Sequence, residues 1–125
     1  MTILHPHPNL QKLELEHRQL EQHILWSLQH SSNTDDGKLY HLLLQIPPQL
    51  WPESLSRYCP SFVATARHRL EKVQAAISQI KLGIYGVCAD CEAQIEAERL
   101  ACDPATQRCK VCAAKAQDIP PELPF

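Results

Sequence analysis

Glycine is scarce in this chain. Three residues in 125 leave no glycine-rich loop of the kind that cradles a phosphate. Equally absent is any run near the roughly 18 consecutive apolar residues that a membrane-spanning helix needs. The first residues lack the basic start and apolar core of a secretory signal, so a cytoplasmic location is expected. Positive charge is not in excess either. The net charge is −2. Such a chain has no general attraction to phosphate backbones, which argues against broad DNA binding. No nucleophile–base set is visible, so an enzyme is not expected.

Proline and cysteine stand out instead. Nine of the ten prolines cluster near the N-terminus, between Pro47 and Pro60, and at the C-terminus, with Pro104 apart. They leave two long proline-free segments, 9–46 and 61–103. In the first, Leu10, Leu13, His17, Leu20, Ile24 and Leu28 recur at steps of three and four, which predicts a helix with one apolar seam, capped by Asn9. Ser31–Gly37 is expected to stop it. In the second, Val63, Ala66, Leu70, Val73, Ile77, Ile80 and Ile84 keep an unbroken heptad spacing. Pro60 suits the first helical position, and Gly83 and Gly86 suit the end. Two helices of about 22 residues, roughly 33 Å each, predict an antiparallel coiled-coil hairpin, with a bundle of separate short helices as the alternative.

The stretch between the helices, 31–59, is too long for a simple turn and too apolar to remain in water. A short helix over Lys38–Ile46, folded over Trp26, Leu28 and Phe62, is expected, although a strand is also compatible with so brief an apolar run. The prolines after Ile46 predict an extended, stiff return. Trp26 and Trp51 are assigned to the core of this enlarged tip. The organisation expected is thus a mainly α protein: a helical hairpin over 9–84 with its tip at 31–59, a cysteine-bearing module over 85–117, and flexible tails at 1–8 and 118–125.

The six cysteines carry the chemistry. In a reducing compartment they argue for metal rather than disulfides. Cys88-x2-Cys91-x17-Cys109-x2-Cys112 presents two tight pairs, each able to offer two sulfurs to one ion. Four soft ligands in this pattern suit one structural zinc and leave no open position to activate water. Two independent redox pairs would need an α/β context that the chain does not show. Cys102 could replace Cys109 or Cys112, at the loss of one tight pair. Cys59 and Cys102 are otherwise ordinary thiols.

The run GIYGVCADC from Gly83 to Cys91, with Ile95, Arg99-Leu100, Pro104 and the CKVC of Cys109–Cys112, resembles the DksA/TraR C4-type zinc-finger family. The close match covers 83–112, and a weaker helical match reaches back to Leu10. The resemblance implies a regulator of bacterial RNA polymerase that inserts a coiled-coil hairpin into the enzyme's secondary channel, with acidic residues at the hairpin tip and docking by the zinc module and a C-terminal helix, here Lys110–Gln117. Three departures stand out. Glu92 occupies a position that is commonly glycine in the family. Cys102 is an extra thiol. The paired aspartates followed by alanine are missing from the tip.

The residues considered for partner binding are therefore Asp35, Asp36, Glu53, Arg67, Arg69, Lys72 and Arg99. The three acids are equally readable as loop and turn residues. The basic residues are equally readable as a solvated helix face, and Arg99 and Arg108 as supports for knuckle carbonyls. His17 reads as a satisfied seam histidine, and the other histidines show no ligand spacing. Three functions follow in order: a polymerase-binding regulator acting as a monomer, a zinc-stabilised adaptor binding another protein through an apolar tip, and a zinc finger binding nucleic acid directly.

Overall fold

A computed structural model describes residues 7–115. Six α-helices follow one another: α1 (Pro8–Gln29), α2 (Thr34–Gln45), α3 (Trp51–Arg57), α4 (Ala64–Leu82), α5 (Ala97–Cys102) and α6 (Lys110–Lys115). Among the described residues none is long and apolar enough to cross a membrane. The chain divides into two compact units. One is Glu14–Gln74; the other joins the chain from Ala75 onward to the segment ending at Leu13. The first turns of α1 and the last turns of α4 therefore group with the cysteine module, whereas the expected boundary lay at residue 84.

Within Glu14–Gln74, α1 and α4 run antiparallel, as the heptads imply. Glu16 takes the Arg69 guanidinium in a two-point ion pair at 2.5 and 3.0 Å, and Gln74 Nε2 meets His17 Nε2 at 3.0 Å. His17 Nδ1 also lies 2.6 Å from Glu21, so this seam histidine is satisfied. Ile24, Leu28, Ala66 and Leu70 are buried together.

The tip segment is not the extended return expected after Ile46. Pro48–Leu50 forms a 3-10 turn and leads into α3, where Pro52 sits in the first turn. Proline costs nothing there, because that N–H has no partner within the helix. The ring that signals an interruption in mid-helix thus starts a helix here. The direction of each helix follows from its end contacts. Ser31, Asp36 and Tyr58 meet at one end, while Gln74 at the other end donates to the Pro48 carbonyl at 2.9 Å and contacts His17. The segment therefore descends through α2 and climbs back through α3, giving an up-down-up-down four-helix bundle. Its core joins Leu39, Leu43, Trp51 and Leu55 to the seam of α1 and α4.

Trp51 fixes this fold-back. It is 2% exposed, and its indole N–H reaches the carbonyls of Leu43 and Ile46 at 3.1 and 3.3 Å. One side chain thereby fills the core and satisfies carbonyls at the end of α2 that have no helical partner. Trp26, expected in the same core, is instead 60% exposed and stacks on His30. Phe62 is also exposed, so of the three residues expected beneath the tip only Leu28 is buried.

Local capping differs at several points. The cap of α1 is His7, not Asn9: its Nδ1 accepts the Asn9 amide at 3.1 Å, with Pro8 in the first helical position. Asn33 caps α2 by accepting the Asp35 amide at 2.8 Å. This starts α2 at Thr34 and places Asp35 and Asp36 in its first turn, where carboxylates are favoured by the helix dipole. Pro60 precedes a 3-10 turn over Ser61–Val63, and α4 proper begins at Ala64. From Val63 in that turn the buried positions continue along α4 as Ala66, Leu70, Val73 and then Ala76 in place of Ile77. A helix of 3.6 residues per turn drifts in this way against a strict 3.5 repeat.

The two tryptophans should respond oppositely to truncation in urea unfolding followed by circular dichroism. Trp51→Ala should cost about 3–5 kcal/mol, by loss of core volume. Trp26→Ala should stay within about 0.5 kcal/mol, as for an exposed side chain.

Candidate metal centre

The site begins where α4 ends. Gly83, at φ 79°, lets the chain leave the helix in a left-handed turn. The Gly83 amide bonds the Ile80 carbonyl at 3.2 Å and the Ile84 amide bonds that of Gln79 at 2.9 Å, a Schellman closure. Gly86, at φ 87°, turns the chain again beside Leu100, whose Cδ1 would lie 3.5 Å from an added Cβ. Tyr85 between them bonds the Pro104 carbonyl at 2.7 Å and receives the Asn9 side-chain amide at 3.1 Å.

The first cysteine pair lies in a tight turn. The Cys88 amide bonds the Ala93 carbonyl at 2.7 Å, the Glu92 amide bonds Cys88 at 3.1 Å, and the Ile95 amide bonds Gly86 at 2.8 Å. Glu92 closes the turn at φ 64°, the only non-glycine with positive φ among the described residues. A side chain in this left-handed region carries backbone strain that a glycine would not.

The second pair opens α6. The Lys110 amide at its start is taken by the Glu96 carboxylate at 3.1 Å. That bond and the Glu96 amide hold the Glu96 carboxyl below its ordinary range, its own amide contributing most. The Ala89 amide reaches the Gln107 carbonyl at 2.8 Å and so ties the two pairs together. Arg99 donates to the Arg108 carbonyl at 3.2 Å, and Arg108 itself meets Asp90 at 2.8 Å. Arg99, one of the residues considered for partner contact, therefore supports the second knuckle. α6 ends at Lys115 in the described residues; residues 116 and 117 of the expected C-terminal helix lie outside them.

The ligand atoms of Cys88, Cys91, Cys109 and Cys112 all lie within 4.8 Å of one another. Cys91 and Cys109 sulfurs are 3.8 Å apart, and a tetrahedral zinc with Zn–S near 2.3 Å requires sulfur separations of about 3.8 Å. The donor set therefore fits one zinc ion by number, chemistry and spacing. Cys102, on α5, does not belong to it. Cys88, Cys109 and Cys112 are buried with Ile95 and pack against Leu100, while Cys91 is exposed. As free thiols the four differ: backbone amides of Cys109 and Cys91 hold Cys88 down to about 6, and the adjacent Cys91 sulfur pushes Cys112 up to about 12. Binding a metal releases the remaining protons.

The other residues considered for partner binding are distributed over the bundle. Asp36 does not project: it is 3% exposed, and its two oxygens accept from Ser31 Oγ and the Tyr58 hydroxyl, each at 2.6 Å. The same bond raises Tyr58 to about 12. Asp35 is exposed, and Glu53 is exposed beside Arg57 at 3.4 Å. Arg67 pairs with Glu71 at 3.0 Å and Arg69 with Glu16, while Lys72 is exposed. Sequence reasoning missed the capping role of His7, although a proline at the first helical position signals a cap at the residue before it.

Residues 83–118 match the family model of the prokaryotic dksA/traR C4-type zinc finger, the class of module that the four-sulfur geometry defines. The resemblance read from the residues of 83–112 thus holds for this segment. Among solved structures, that of the transcription factor DksA2 from Pseudomonas aeruginosa is 21% identical, covers 87% of this chain and 79% of that one, and has a TM-score of 0.47. No curated protein gives a significant match.

Two outcomes are expected of the cage. Complete zinc removal by a strong chelator should unfold residues 85–115 and leave much of α1 and α4 helical, seen as a partial loss of the helical circular dichroism signal. Glu92→Gly should relieve the left-handed backbone and stabilise the module by about 0.7 kcal/mol. In a chelator competition this reads as roughly threefold tighter zinc retention.

Proposed function

We propose that this protein is a transcription regulator that binds bacterial RNA polymerase, entering through the secondary channel, with zinc in a structural role. The observation that carries this reading is the coincidence of the family-model match over 83–118 with a complete four-sulfur cage. Bound zinc neutralises thiolate charge and cross-links the two knuckles. With all four positions taken by sulfur it has none left for substrate. The protein then acts by occupancy and charge rather than by catalysis, as a cytoplasmic monomer without general affinity for DNA.

The acidic residues divide under this reading. Asp35 and Glu53 are exposed and can face a partner's reaction centre, Glu53 beside Arg57, whereas Asp36 is committed to Ser31 and Tyr58. A second reading, a zinc-stabilised adaptor for another protein, is favoured by one feature: Leu42, Leu44 and Leu50 of the bundle are each about half exposed.

Binding of the zinc-loaded chain to purified core polymerase separates the two. The regulator should bind at micromolar concentration and alter transcription from a ribosomal-type promoter. Asp35→Asn and Glu53→Gln should then reduce the transcriptional effect with binding retained. Absence of binding by a folded, zinc-loaded chain would overturn the polymerase reading in favour of the adaptor.

A further inference from the structure

Inside the Glu14–Gln74 bundle, α2 and α3 run antiparallel and leave an open groove of about 290 Å³ on their outer side. Leu39 and Leu42 come from α2, and the Tyr58 ring stands at the end of α3. Leu42 and Tyr58 remain 44% and 40% exposed, so apolar surface faces water here. Lys38 of α2 and Arg57 of α3 flank it from opposite helices. Lys38 makes no hydrogen bond or ion pair among the described residues. Arg57 has only its long, exposed contact to Glu53.

The groove is held open by the buried Asp36. A carboxylate withdrawn from water is costly unless fully bonded. Asp36 is bonded at both oxygens, and one of those bonds fixes the Tyr58 hydroxyl. The ring cannot swing inward over the exposed Leu42 without breaking that bond. A preformed apolar trough needs little ordering on binding, and that favours affinity.

We infer that the α2–α3 groove is a docking site for an amphipathic helical segment of a partner protein, which lays an apolar side chain on Leu42 and the Tyr58 ring and sets a carboxylate between Lys38 and Arg57. Charge selects the occupant. The two flanking cations accept an acid at mid-groove, while Asp35 at one end repels a second. The length also suits a short helix: α3 spans seven residues, about 10 Å or two turns. This inference rests on the polymerase reading, and names the surface by which the bundle grips that enzyme.

Core RNA polymerase is the probe, titrated with the zinc-loaded wild type, Leu42→Glu, the double variant Lys38→Glu with Arg57→Glu, and Lys81→Glu as a control outside the bundle. All three bundle positions are exposed, so folding should survive, as circular dichroism would verify. Leu42→Glu and the double reversal should each weaken binding at least tenfold, with Lys81→Glu unchanged. Wild-type binding that both bundle variants retain in full would overturn the groove and leave the polymerase reading standing. Loss with Leu42→Glu alone would overturn the acidic character of the occupant. No binding by wild type would overturn the polymerase reading and this inference together.

Discussion

Four sulfur atoms within 4.8 Å of one another are unstable company as thiolates and poor packing as thiols, and a single divalent cation resolves both problems. The cysteine module depends on that resolution. Its helix α5 has six residues, far below the length at which a helix holds itself in water. Its buried apolar complement is chiefly Ile95, Ala105 and the cysteines themselves. The remaining order comes from polar groups aimed at the knuckles: Glu96 on the Lys110 amide, Arg99 on the Arg108 carbonyl, and Gln107 receiving the Ala89 amide. None of these bonds closes the loop between the pairs by itself. Together they restrict it once the metal has joined its ends.

The Glu14–Gln74 unit rests on a different principle. The cluster of metal-ligating side chains lies outside it, and its core is ordinary side-chain packing sharpened by two polar devices. Trp51 stitches α3 onto the end of α2, and Asp36 ties the chain after α1, the start of α2 and the chain after α3 into one knot. An acid that a family-based reading would place at a partner's reaction centre is here spent on architecture. What remains for recognition is the outer surface of α2 and α3, where apolar and cationic groups lie together.

Periodicity made the long helices legible. Steps of three and four placed α1 and α4 with their antiparallel pairing, because a seam that buries one face leaves little freedom in register. The cysteine spacing made the metal centre legible, since two tight pairs can converge on one ion wherever the intervening loop goes. The tip was less legible for identifiable reasons. Pro47, Pro48 and Pro52 read as an interrupted chain, but proline is neutral at a helix start, and only the fold shows which position each occupies. Trp26 and Trp51 are indistinguishable by composition, and hydrogen-bond geometry at the end of α2 decides between them. Glu92 was visible as a departure from glycine, although its consequence lies in a backbone angle that the sequence does not print.

The two units also differ in how they are drawn from the chain. Glu14–Gln74 is one uninterrupted stretch, whereas its neighbour needs residues from both sides of it, including the last two cysteines. Synthesis is vectorial, and units of local connectivity fold early. The four-helix body can thus assemble on the ribosome while Cys109 and Cys112 are still untranslated, with the metal captured last.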